Sequence, residues 1–189
     1  MYISLVAALF FSLSCGNRTG GMIISDTKIK ADVLGIKLCE KADKNSIEAA
    51  LSRVTDNAFI TYEEKIGPGS AVRCVPIALT INYGGQAWNY CDTHLNEANE
   101  VMEVDLVASF ESVERAKDLF DSMVAKLSEK YGKGNIEGSD AFWTDGVNGI
   151  GLSYSESSAI NGNDRSFCTL GYMNRDLMQT FQEVMDNEL

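Results

Sequence analysis

The sequence contains a single histidine, His94, and it closes the tetrapeptide Cys91-Asp92-Thr93-His94. Thiolate and imidazole are partners both in zinc coordination and in Cys/His nucleophilic catalysis, so this is the first place to look for chemistry. The pattern falls short of either. A structural zinc site needs about four ligands and a nucleophilic dyad needs an oriented base, whereas no second histidine and no C-x-x-C pair is present. A polar loop at the end of a hairpin explains the same residues, so no catalytic residue, metal ligand or cofactor is expected. Nucleophile elbows, phosphate-cradling glycine loops and H-E-x-x-H helices do not occur. Asp145-Gly146-Val147-Asn148-Gly149 and Asn161-Gly162-Asn163-Asp164 have the residue types of calcium loops, but not the spaced acidic ligands and closing glutamate. They read as turns, in which glycine takes a positive φ without steric cost.

Export chemistry has a clearer signature. Residues 2–13 form an apolar run of signal-peptide length, well short of the roughly 20 residues that span a bilayer. Ser14-Cys15 follows, then the polar stretch 16–21. This arrangement resembles a bacterial lipobox, which implies cleavage before Cys15, diacylation of its thiol and membrane attachment through lipid alone. The expected organisation is a signal peptide over 1–14, a lipidated cysteine with a flexible tether over 15–29, and one domain over 30–189. An exported domain can form disulfides. The four remaining cysteines, Cys39, Cys74, Cys91 and Cys168, allow three pairings. Cys74 and Cys91 flank the same hairpin, which favours that pair and leaves Cys39 with Cys168.

These residues must be positioned by local elements. Helical spacing places Val113, Ala116, Leu119, Phe120, Met123, Val124, Leu127 and Tyr131 on one stripe, with Ser112 as cap and Gly132 as stop. A shorter helix fits 43–54, capped by Asp43, and a third runs from Asn174 toward the end. Between them the period drops to two. Ile77, Leu79, Ile81 and Tyr83 alternate with smaller or polar residues before Gly84-Gly85 turns toward Trp88 and Tyr90, and Pro76 stands early in that strand. Further strands are predicted at 58–66, 101–110, 150–154 and 166–173. In 101–110, Met102, Val104, Leu106, Ala108 and Phe110 share one face while Glu103 and Asp105 share the other, which predicts one wet sheet face. The order is helix, strands, helix, strands, helix. It predicts an α+β fold, an antiparallel sheet with helices on one face, built from two similar units.

Net charge is -11, which repels phosphate backbones and makes nucleic acid an unfavourable partner. The stretch 97–121 carries eight carboxylates against Arg115 and Lys117 and reads as solvated surface. Gly35-Ile36-Lys37-Leu38 with Asp43-Lys44-Asn45-Ser46-Ile47-Glu48-Ala49-Ala50-Leu51, and the helix ending Lys130-Tyr131-Gly132, resemble small lipoproteins of the Bacteroidetes, SmpA/OmlA and beta-lactamase-inhibitor-protein-like families. That resemblance implies an outer-membrane lipoprotein whose domain binds or assembles envelope proteins without catalysis. Acidic residues that mark surface export are missing after Cys15, which favours the periplasmic side. Glu103, Asp105, Trp88 and Tyr90 are the expected binding face. The second expectation is a small-ligand or carbohydrate domain using exposed aromatics, and the third an enzyme of unrecognised type, indicated by a deep pocket gathering His94 with buried carboxylates.

Overall fold

The computed structural model describes residues 22–78, 80–155 and 165–188. Cys15 and the signal segment, Leu79 and the Asn161-Gly162-Asn163-Asp164 turn lie outside the described residues.

A short hairpin, β1 (Asp32–Val33) and β2 (Ile36–Lys37), leads into helix α1 (Lys44–Thr55). Asp43 begins this helix with a reciprocal cap: its carboxylate accepts from the Ser46 amide at 2.8 Å, and the Ser46 hydroxyl accepts from the Asp43 amide at 2.8 Å. Strands β3 (Phe59–Ile66) and β4 (Gly69–Pro76) follow, then a separate hairpin of β5 (Ile81–Tyr83) and β6 (Gln86–Trp88), then β7 (Tyr90–Leu95) and β8 (Val101–Phe110). Helix α2 (Val113–Tyr131) precedes β9 (Asn135–Glu137), β10 (Asp140–Thr144), β11 (Asn148–Ser155) and β12 (Ser166–Asn174), and α3 (Arg175–Glu188) ends the described chain.

Eight strands form one antiparallel sheet in the order β3-β4-β7-β8-β12-β11-β10-β9. Each half is a helix followed by four strands of this sheet, and the halves meet through their last strands, β8 and β12, as the two-unit reading expects. Along one face, Cys74, Cys91, Leu106, Leu170, Leu152 and Ala141 line up by register. They are buried in the core that α1 covers with Ile47 and Leu51, and α2 with Leu119, Phe120, Met123 and Leu127. Helix α3 departs from the one-sided expectation. Asn174 caps it by accepting the Leu177 amide at 3.1 Å, and it runs across the opposite face, where Phe181 stands over Gly69 and Met185 over Gly67.

Other corrections concern single residues. Pro76 ends β4 instead of opening a strand, and the strand expected from Ile77 is shortened to β5. Residues 24–29 belong to the domain, not to a tether: Ile24 bridges Thr144, Ile29 is buried, and its amide donates to the Asp145 carboxylate at 2.9 Å. The four described cysteines are free thiols. The Cys39 amide is bonded to the Val101 carbonyl, while Cys168 sits opposite Ala108. Seven residues of extended strand separate those points by roughly 23 Å, far beyond the ~7 Å Cα limit of a disulfide. Cys74 and Cys91 do lie opposite each other, yet the Cys74 thiol turns to Thr61 at 3.8 Å and that of Cys91 to the Asp92 carbonyl at 3.9 Å.

Candidate functional site

The sheet face under α3 carries an unusual row of charges. Because strand side chains alternate, Asp92 and His94 on β7 share a face, as do Glu103 and Asp105 on β8. The register sets Arg73 beside Asp92, Asp92 beside Asp105, and His94 beside Glu103. The loop between β7 and β8 fixes that pairing. The Asn96 amide donates to the Glu100 carbonyl at 3.0 Å, the Asn96 side chain accepts from the Glu100 amide at 2.8 Å, and Asn99 takes a left-handed φ of 60°.

Within the row one carboxylate is fully matched. Arg73 grips Asp92 through two parallel bonds, Nε to Oδ1 at 2.7 Å and Nη2 to Oδ2 at 2.5 Å, and its guanidinium stacks 4.3 Å over the Tyr90 ring. The other two are not matched. Glu103 is 0% exposed and Asp105 1%, and among the described residues none of their four carboxylate oxygens has a hydrogen-bond partner of good geometry. The nearest cation is His94, whose Nε2 lies 3.4 Å from Asp105 Oδ2. Such groups normally carry a penalty of several kcal/mol, about the size of the coupling that a partner would return.

The environment shifts all three. Burial pushes Glu103 up, the charge of Asp105 adds to this and His94 opposes it, with the result at about 8. Asp105 is raised by burial despite the opposing pull of His94. Burial would lower His94, but Asp105 beside it and the charges of Glu103 and Asp92 outweigh that and lift it to about 9. The thiols are unsuited to nucleophilic work: burial raises Cys74 to about 11 and Cys168 to about 12, and puts Cys91 well above its ordinary value.

Next to His94 and Glu103 is a chamber of about 20 Å³, lined also by Ser70, Met102, Met178 and Phe181. It has room for one water molecule, since a water needs ~10–15 Å³ of such space, and is far too small for an organic substrate. Room for the two carboxylates comes from Gly171 on β12: a Cβ there would stand 2.5 Å from Asp105 Oδ1 and 3.2 Å from Glu103 Oε1. Ligand atoms from His94, Glu103 and Asp105 all lie within 4.8 Å of one another. Such a trio can be satisfied by shared protons or by a bound cation.

The expected binding face is therefore dispersed. Glu103 and Asp105 are interior, because β8 is a central strand and α3 covers the face that alternation alone leaves wet. Trp88 is in the core with its indole N–H donating to the Tyr83 carbonyl at 3.0 Å, and Tyr90 is half-buried under Arg73. Trp143 is also interior, so the aromatic row required by the carbohydrate reading is not formed by these residues. His94 is a strand residue, not part of a hairpin-end loop. Asp145 is a turn: its Oδ1 accepts the amides of Val147 at 3.0 Å and Asn148 at 2.8 Å. Arg73 and Gly171 were not singled out in the sequence, and Asp92 was named there only within the Cys91–His94 tetrapeptide. The signal that could have found them is the pair of i, i+2 polar residues, Asp92/His94 and Glu103/Asp105, on strands joined by a short Asn-bounded loop.

Comparison with protein families, curated proteins and solved structures finds no match to this chain. Among the described residues no helix is long and apolar enough to cross a membrane.

Proposed function

We propose that this protein is a lipid-anchored envelope module that binds a protein partner by adding one of the partner's strands to the free edge of β3, without performing chemistry. The observation that carries this reading is the edge itself. β3 is eight residues long, pairs with β4 alone among the described residues, and presents Ile60 and Tyr62, 49% and 37% exposed, on the α3 side of the sheet. An unpaired edge supplies a row of backbone donors and acceptors for an extended segment, and alternate side chains supply its pockets. The opposite edge, β9, has only three residues. Glu63, Glu64 and Lys65 interrupt the β3 edge with charge, which disfavours self-association of copies. With a net charge of -11, the fitting partner is an extended segment bearing basic residues. The water-sized chamber at His94 supports a non-enzymatic reading, and Cys15 is the site of attachment that would present the domain on the periplasmic side of the outer membrane.

The test is crosslinked capture from envelope extracts. Ile60→Glu combined with Tyr62→Glu should lower capture at least about 10-fold, the loss expected from interface anchors worth roughly 1–2 kcal/mol. Val184→Glu on the outer side of α3 should leave capture unchanged. Cys15→Ala should move the protein to the soluble envelope fraction while capture persists. Undiminished capture by a folded β3 variant would remove the docking edge, and a wild-type N-terminus without lipid in mass spectrometry would remove the anchor.

A further inference from the structure

We propose that His94, Glu103 and Asp105 form a binding site for one divalent transition-metal ion of the zinc class, with water in the adjoining chamber as the remaining ligand. The first support is the donor set. An imidazole nitrogen and two carboxylates converge from adjacent strands, within 4.8 Å of one another. His94 Nε2 and Asp105 Oδ2 are already 3.4 Å apart, close to the edge of about 3.3–3.4 Å that a tetrahedron with bonds of ~2.0–2.1 Å requires. The second is the unmet demand of the carboxylates: all four oxygens of Glu103 and Asp105 are buried, and among the described residues they meet no donor beyond the 3.4 Å contact from His94 to Asp105. A metal ion would supply what is missing.

Charge balance points the same way. Arg73 already neutralises Asp92, so the two remaining carboxylates, with the imidazole of His94 once it releases its proton to the solvent as the ion binds, offer the charge that a divalent ion cancels. The chamber beside His94 and Glu103 holds about one water molecule, and Ser70 lines it. Three protein ligands and one water complete a four-coordinate site. Calcium needs six to eight oxygen ligands and magnesium an octahedron rich in water, and neither fits one imidazole in a chamber of this size. Gly171 is part of the same arrangement, because any side chain there would push Asp105 and Glu103 out of position. The His94 side chain keeps 13% of its surface exposed. The site lies on the central strands and needs no partner, so it stands or fails separately from the β3 edge.

Zinc is titrated calorimetrically into the metal-stripped full chain, with cobalt as a spectroscopic probe. The wild type should bind one equivalent and give visible cobalt d–d bands. Glu103→Gln and Asp105→Asn should each weaken binding about 100-fold or more, since even supporting residues around a metal are worth 10–100-fold. Glu97→Gln, an exposed acid near the same hairpin, should change nothing. Circular dichroism confirms the fold of each variant, and His94→Gln serves if one of the carboxylate variants unfolds. Absence of stoichiometric zinc in the wild type, or unchanged affinity in folded Glu103→Gln and Asp105→Asn, overturns the proposal.

Discussion

Gly171 illustrates how a residue with no side chain can control a charged site. It lies opposite Asp105 in the β8–β12 register, and the space a Cβ would take is occupied by carboxylate oxygens. Its backbone has an ordinary negative-φ or extended conformation, because it is not among the glycines with positive φ. The requirement for glycine is therefore crowding alone. Gly171→Ala should destabilise the protein by about 1–3 kcal/mol, the range for overpacking a dense interior. Asp105→Ala removes the obstructing oxygens, so the double variant should be more stable than the sum of the single effects predicts. Urea denaturation of the four proteins in a double-mutant cycle measures this coupling, and strict additivity would show that the crowding is relieved elsewhere.

At the scale of elements, the helices owe their ends to local chemistry and their placement to the sheet. Helix α1 has the reciprocal Asp43/Ser46 cap at one end and Asp56 in a left-handed conformation, φ 54°, at the other. Between them Ile47 and Leu51 are buried against the sheet. Asp43→Ala removes a carboxylate acceptor from the first turn and should lower the urea midpoint with an unchanged slope. Helix α3 has the opposite balance. Its apolar stripe could serve either face of a sheet, and the choice is made by where β12 ends and where Gly67 and Gly69 allow Met185 and Phe181 to approach closely. That choice converts the expected wet face into the roof of the charged cluster.

For the molecule as a whole, Asp145 joins the N-terminal strap to the far half of the sheet. Burial opposes its ionisation, but the amides of Asn148, Ile29 and Val147 donate to it and win, so its pKa is held below the ordinary carboxylate value. A depressed native pKa gives stability that is present above the unfolded value and is lost as pH falls through the native one. The wild type should therefore lose stability between about pH 5 and pH 2 more steeply than Asp145→Asn. Thermal unfolding of both proteins across that window checks the sign. Amide exchange at Ile29 should rise in parallel as the strap detaches.

Much of this architecture was legible from periodicity and caps. The stripe from Val113 to Tyr131, the caps Asp43 and Ser112, the start of the last helix at Asn174, the 101–110 strand and the helix-strands-helix-strands-helix order all depend on interactions a few residues apart in the chain. Local rules therefore sufficed to predict them, and the apolar faces then required an α+β sheet. The site was decided elsewhere. Alternation placed Glu103 and Asp105 on the second face of β8 but could not tell that α3 would cover it, because burial depends on an element some 70 residues away in sequence. Cys39 and Cys168 were separated by strand register, and Trp88 went to the core because its N–H found a carbonyl there. Sequence determined which residues could carry charge; only tertiary packing determined that His94, Glu103 and Asp105 would meet under α3, away from bulk solvent.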